Sequence, residues 1–409
     1  MDIDFVRKQF PGLKKDFIFM DNAGGSQILG TVVNKISDYL INNNVQLGAS
    51  YEVSETAGTK LKNATISIAE LINASNPQEI IIGPSSTMLL RILSISLAHQ
   101  WQEGDEVIVS NSDHEANVSC WTDLREKGIV VKIWKINPGS LKFDTDDLKP
   151  LITSKTKLVA MVHASNVLGT INPIREIAQL VHQAGALFCV DGVAFAPHRL
   201  VDVQDLGVDF YVFSWYKVYG PHLAVMFGKI HLLEEIKGIN HYFITDDVPY
   251  KFQPGNFNFE LTYGLTGIFD YLNNFHDHHY PDTHLENGLN KYQKSFEIIA
   301  DHEEKLAKTL LDYLNSNKKI RVIGSTESAS SKRLATISFV HQDQKSSDIV
   351  LQVDKHHIGI RFGDFYAKKL IADLELKNHD GVVRVSLVHY NSMDEVNQLI
   401  RVLKLIFAE

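Results

Sequence analysis

The sequence predicts an α/β protein: a three-layer α/β/α domain around a mixed, mainly parallel sheet, with a smaller α+β domain beside it. Three observations lead there. Between about residues 80 and 230, short apolar runs alternate with amphipathic helical stretches. Several of those runs are almost continuously apolar, as strands covered on both faces require. After about residue 265 the pattern changes to long helices with few strands. A chain of 409 residues also has the length of two or three domains. The division expected is 20–265 for the large domain, with 1–19 and 266–409 forming the small one.

In chain order, the strand candidates of the large domain are "EIIIG", "EVIVS", "IVVKIWKI", "KLVAMVH", "LFCVD", "DFYVFS" and "LAVMFG". Between "KLVAMVH" and "LFCVD" a helix is expected. Pro173 suits its first turn, Ile174, Ile177, Leu180 and Val181 recur at helical spacing, and Gly185 suits its C-terminal end. Later, "KSFEIIADHEEKLAKTLLDYL" reads as a long helix, and "RLATISFV" and "VVRVSL" as strands. In such folds ligands collect at the carboxyl ends of the strands.

Composition narrows the function classes. The net charge is −9, with no basic block, so no nucleic-acid partner is expected. No run approaches the roughly 18 apolar residues of a membrane span. The opening "MDIDFVRKQF" has neither signal-peptide nor transit-peptide character. Only Cys120 and Cys189 are present, without metal-like spacing, which suggests a reducing cytoplasm. The cluster "HDHHYPDTH", with His276, His278, His279 and His284, lacks an HExxH or Cys/His metal pattern and reads as a solvated loop; no metal is expected.

The polar residues at the strand ends carry the chemistry. "LFCVD" ends in Asp191, "KLVAMVH" runs into Ser165-Asn166, and "EVIVSNSD" into His114. "IIIG" leads through Pro84-Ser85-Ser86-Thr87 into the apolar helix "MLLRILSISLA". Hydroxyls at a helix start satisfy free backbone N–H groups, and the same N–H array attracts phosphate. There is neither a Walker lysine nor a GxGxxG after a first strand, so a nucleotide lacks its usual signature. "DFYVFS" delivers Lys217 within "SWYKVYGPH". Taken singly, each of these groups is an ordinary cap or turn residue. Together an acid, an amide, an imidazole, a phosphate cradle and a lysine are what pyridoxal phosphate requires.

At this point the sequence resembles the class V aminotransferases, in the branch with cysteine desulfurases and selenocysteine lyases. The stretches that carry the resemblance are "DNAGGSQ", "DHEANVSCW", "HASNVLGTINPI", "VDGVAFAPHRLVDVQDLGVDFYVFSWYKVYGPH" and "GVVRVSLVHYNS", in that order from residue 21 to 392. The resemblance implies the fold type I of pyridoxal-phosphate-dependent transferases and a homodimer acting on a small amino acid. It implies that Lys217 forms the Schiff base and that Asp191 faces the pyridine nitrogen. His114 is similar to the histidine that stacks on the ring, and Asn166 to the amide at its phenolic oxygen. Ser86, Thr87 and Ser214 match phosphate contacts. Tyr216 stands where histidine is common, and Asn256 where a threonine reaches the neighbouring subunit's phosphate. Arg384 resembles the arginine that clamps the substrate α-carboxylate, a task suited to a planar guanidinium.

Two departures bear on the reaction. Desulfurases carry a persulfide-forming cysteine on a C-terminal loop; here the corresponding stretch is "GIRFGDFYAKKL", Tyr366 fills the position, and no cysteine follows Cys189. A phenol cannot accept sulfur as a persulfide. Ala194 stands where many relatives have a glutamine at the phenolic oxygen. Cys120 reads as a small buried residue at a helix start. Tyr366 and Asp364 are candidate pocket residues, with Arg361 a second anion contact. The expectation is a C–S or C–Se lyase reaction without a protein persulfide. Transamination, epimerisation and non-catalytic cofactor binding are the alternatives.

Overall fold

The computed structural model describes residues 1–14, 16–244, 246–281 and 288–408. Seven strands form its main sheet, in the spatial order Ile80–Gly83, Ala224–Gly228, Phe210–Ser214, Leu187–Asp191, Thr156–Val162, Glu106–Ser110 and Val130–Trp134. Ala224–Gly228 runs antiparallel to both its neighbours, and every other pairing is parallel. All seven strands correspond to the apolar runs read from the sequence.

Alternation along each strand explains why those runs looked continuous. Ile80, Ile82, Ile108, Val159, Met161, Phe188, Val190, Tyr211 and Phe213 join one buried cluster. Their alternating neighbours Ile81, Val107, Val109, Leu158, Ala160, Cys189, Phe210 and Val212 join a second. Successive side chains point to opposite faces, and helices cover both. The helix Ile174–Gln183 starts directly after Pro173, buries Ile174, Ile177 and Val181, and ends before Gly185 at φ +74°.

A four-stranded antiparallel sheet stands apart from the main one, in the order Arg361–Gly363, Val382–Ser386, Thr336–His341 and Ile320–Ile323. Its core includes Leu306, Leu310 and Leu314 of the long helix Gly288–Ser316, and Leu399 and Leu403 of the last helix, Met393–Ile406. Near the start of the chain, Ile18–Phe19 pairs in parallel with Ile358–Gly359. Ile268, Phe269 and Phe275 of the helix Thr266–His279, and Phe296 and Ile299 of the long helix, pack into the main-sheet core.

The histidine cluster differs from the solvated loop expected. His276, His278 and His279 lie on the helix Thr266–His279, and His276 is fully buried. A helix of 14 residues with Ile268, Tyr271, Leu272 and Phe275 on its buried face carries the histidines along its last turn. His284 lies outside the described residues. Among the described residues there is no metal-type grouping of His, Cys, Asp and Glu, and no helix long and apolar enough to cross a membrane.

Candidate active site

The parallel strands end along one edge, and the polar groups after them meet there. Phe210–Ser214 runs into a tight turn, Trp215–Lys217, anchored by the fully buried Trp215 ring against Phe213 and Phe269. Trp215 O accepts the N–H groups of Val218 and Gly220. The N-terminal stretch grips the turn from outside: Ser26 N donates to Tyr216 O at 3.0 Å, and Tyr219 N donates to Ser26 Oγ at 3.0 Å. Gly25, at φ +151°, lies beside the Tyr216 ring, where a Cβ would stand in ordinary contact 3.4 Å from Cδ2. These contacts bury Lys217 in the cavity that Ser86, Thr87, His114, Asn166, Asp191, Ser214 and Tyr216 also line.

Burial sets the protonation of this edge. It pushes the Lys217 amine down to about 8, helped by the positive charge of Arg384 and opposed by Asp191 and Asp21. His114 is pushed down to about 4 by burial first, then by Lys217 and Arg384, so its ring is neutral at pH 7. Ala116 N donates to His114 Nδ1 at 3.1 Å, which leaves the proton of that neutral ring on Nε2. Burial raises the Asp191 carboxyl, against a hydrogen bond from Val193 N to Oδ1 (2.8 Å) and the charge of Lys217. Asp113, the residue before His114, is fully enclosed. It accepts from Ser110 Oγ, from Asn117 Nδ2 at 2.6 Å and from Val162 N at 3.0 Å, which ties the His114 segment to the neighbouring strand.

At the other end of the cavity Ser86 Oγ and Ser214 Oγ lie 2.7 Å apart, at the start of the helix Ser86–Leu97. Ser85 caps that helix through Met88 N, leaving Ser86 and Thr87 on the cavity wall. The Tyr216 ring stacks on His222 at 5.0 Å, and burial holds its phenol protonated. Two hydroxyls and a helix N-terminus suit a phosphate dianion.

A second cleft shares His114, Asn166, Tyr216 and Lys217 with the first. Arg361, Asp364, Phe365, Tyr366, Lys368 and Arg384 are among its other lining residues. Arg384 is 2% exposed; its Nη2 donates to Asp21 Oδ1 at 2.8 Å and its Nη1 to Asn166 O at 3.2 Å. Arg384 Nε and Asn166 Oδ1 are buried without a protein partner, although buried polar atoms are seldom left unpaired. An edge with a buried amine, a buried carboxyl, a paired-hydroxyl cradle and two orphaned polar atoms fits pyridoxal phosphate and an amino acid.

Asp21 bridges Arg384 and, at 3.7 Å, Arg361. Phe365 stacks on the Arg384 guanidinium at 3.7 Å. Neither contact was read from the sequence, although Asp21 opens the quoted stretch "DNAGGSQ". The amide expected at the phenolic oxygen is engaged elsewhere as well: Asn166 Nδ2 donates to Phe365 O at 2.9 Å. Asn256 lies outside this cavity, exposed, with its side chain against that of Gln46. Cys120 and Cys189 are free thiols buried in the second sheet-face cluster, and burial pushes both well above the ordinary thiol range. Cys120 falls in the second half of the helix Ala116–Thr122 rather than at its start.

Comparison with known proteins identifies the family. The family model for aminotransferase class V matches residues 18–399. An aminotransferase-like protein of Gibberella zeae is 42% identical, the match covering 99% of this chain and 98% of that protein. A cysteine desulfurase-like protein of Aspergillus flavus is 37% identical over 97% of this chain and 88% of its own. The crystal structure of an Escherichia coli cysteine desulfurase superposes with a TM-score of 0.84 at 24% identity, covering 100% of this chain and 99% of that one, and shows the shared fold. The chain belongs to the class V aminotransferase family and is a pyridoxal-phosphate-dependent enzyme with the fold type I architecture.

Proposed function

We propose that this enzyme breaks the Cβ–S or Cβ–Se bond of a small amino acid by β-elimination and releases the sulfur or selenium fragment without a protein persulfide. The observation that carries this reading is the loop after Arg361. There Tyr366, not a thiol, reaches the site, with its ring 5.0 Å from that of His114. Both cysteines are enclosed in the core with strongly raised thiol pKa values, so neither supplies a ready thiolate.

Pyridoxal phosphate, when bound, accepts the electron pair left at Cα once its proton is removed. Lys217 would hold it covalently, Ser86, Thr87, Ser214 and Tyr216 would hold its phosphate, Asp191 would meet its ring nitrogen and His114 would cover its face. Arg384 takes the substrate α-carboxylate. Lys217, once free of the cofactor, would remove the Cα proton, and its lowered pKa increases the share of neutral base near neutral pH. The Cβ–S bond then breaks with its electron pair on sulfur while the Cα–Cβ double bond forms. The departing anion meets Arg361, which lines the cleft. For cysteine the balance is cysteine plus water giving pyruvate, ammonia and hydrogen sulfide, with no external oxidant or reductant.

Two copies are proposed to work together, with Asn256 completing the phosphate site of the other. In support, Asn256 is exposed and lines surface pockets shared with the exposed apolar side chains of Met88 and Tyr250. The two free thiols support a cytoplasmic setting.

The test is a panel of amino acids assayed for sulfide, pyruvate, alanine and new oxo acids, with mass analysis of the protein. Sulfide and pyruvate in equal amounts, with no added sulfur on the chain, are expected. Alanine accompanied by a persulfide on Cys120 would overturn the reading. A new oxo acid without sulfide would instead indicate transamination, and Cα proton exchange alone would indicate epimerisation.

A further inference from the structure

The loop from Gly363 to Ala367 has a backbone that its residues do not favour. Phe365 and Tyr366 stand consecutively in the left-handed region, at φ 52° and 60°. Bulky aromatic residues seldom adopt this conformation, because Cβ crowds the following carbonyl. Asp364 closes the turn from both sides: its Oδ1 accepts Tyr366 N at 2.9 Å and its carbonyl accepts Ala367 N at 2.8 Å. The opposite wall of the site then holds the turn down. Asn166 Nδ2 donates to Phe365 O at 2.9 Å, Glu115 N donates to Tyr366 O at 2.8 Å, and Lys369 pairs with Glu115 at 3.2 Å.

Strain held by this many contacts has a product, which is the place of one ring. Phe365 lies against the guanidinium of Arg384 at 3.7 Å, with Val167, Leu168 and Ala367 in the apolar cluster behind it. Two edge contacts, to Asp21 and to Asn166 O, and this one face contact set the plane of Arg384. A guanidinium grips a carboxylate through two parallel bonds only when the two planes agree.

We propose that Phe365 is a positioning residue for substrate recognition: its ring fixes the plane in which Arg384 meets the α-carboxylate, and the left-handed turn at Phe365-Tyr366 exists to place that ring. The inference rests on the reading of Arg384 as the carboxylate clamp, and is independent of β-elimination.

The test uses the cofactor-loaded enzyme and two probes without a β leaving group: L-alanine, and ethylamine, which lacks the carboxylate. Binding is read from the change in cofactor absorbance, so no turnover is needed. In Phe365→Leu the dissociation constant for L-alanine should rise about tenfold, the order expected for losing a desolvated cation–ring contact, while that for ethylamine stays within about twofold. Phe365→Tyr, which keeps a ring face, should restore L-alanine binding. Combining Phe365→Leu with Arg384→Lys should weaken L-alanine no further than Arg384→Lys alone, since Phe365 acts through Arg384. The proposal is overturned if Phe365→Leu weakens both probes equally, or if Phe365→Tyr binds L-alanine as poorly as Phe365→Leu. Additive losses in the double variant would overturn it too. If the leucine variant does not fold, the tyrosine variant decides: binding as in the parent supports the proposal, and a tenfold loss ends it. Failure to release sulfide, by contrast, would leave this result standing and count only against the proposed reaction.

Discussion

The cofactor edge and the loop opposite it are built in different ways. Asp191 and Ser214 end buried strands, Lys217 and His114 lie in the short turns that follow two of them, and hydrogen bonds of ordinary geometry hold these segments. The loop Gly363–Ala367 follows a short edge strand, puts two aromatic residues at positive φ, and leaves Tyr366 62% exposed. A rigid sheet positions the groups that any reaction with this cofactor needs. The loop lines the cleft beside Arg384, and the proposed reaction places the choice of bond there.

Breaking the sheet side should have the larger effect. Lys217→Ala removes the only amine buried in the cofactor cavity among the described residues. We expect loss of the borohydride-reducible linkage to cofactor and a fall in turnover of about a thousandfold or more, the order seen when a nucleophile and base are lost together. A reducible adduct that persists in this variant would break the assignment at its root.

The pH dependence of cofactor uptake comes next. Lys217 has its pKa lowered, so the neutral amine that attacks the aldehyde becomes abundant above about 8 instead of near the ordinary lysine value. Uptake by the cofactor-free protein should therefore speed up about tenfold per pH unit below that point and level off above it, since the neutral fraction grows in that proportion. Stopped-flow absorbance across the range checks this. A rate still climbing above pH 9 (roughly a unit past the stated value) would mean that burial does not depress this amine.

The smallest effect is expected at Cys120. Its thiol is buried against the second face of the sheet, and burial holds it protonated. Cys120→Ala should leave sulfide release within about twofold of the parent and lower stability only slightly, as volume-reducing changes at small buried residues do. A severe loss of sulfide release in a folded variant would move the sulfur chemistry from the loop to the sheet and reverse the comparison.

The histidines of "HDHHYPDTH" mark one limit of reading a sequence. Their lack of a metal-ligand spacing suggested a solvated loop. Packing of Ile268, Tyr271, Leu272 and Phe275 instead carries the helix through to His279 and buries His276. Tertiary burial overrode a local compositional signal. Asn166 marks another: its place at a strand end was legible, but not that its amide would be spent on the carbonyl of Phe365, 199 residues away.

What the sequence determined by itself is the main sheet and the edge where its strands end. An apolar run and the polar residue that follows it are neighbours in the chain, so both the strand and the group it delivers are encoded locally. What only the tertiary structure decided is how Arg384 is held. Asp21 reaches Arg384 across 363 positions of sequence, and Phe365 covers the same guanidinium from a turn whose backbone its own residues disfavour. Neither contact leaves a local pattern, because the free energy that offsets the strain comes from the opposite wall of the site and exists only once the chain has folded.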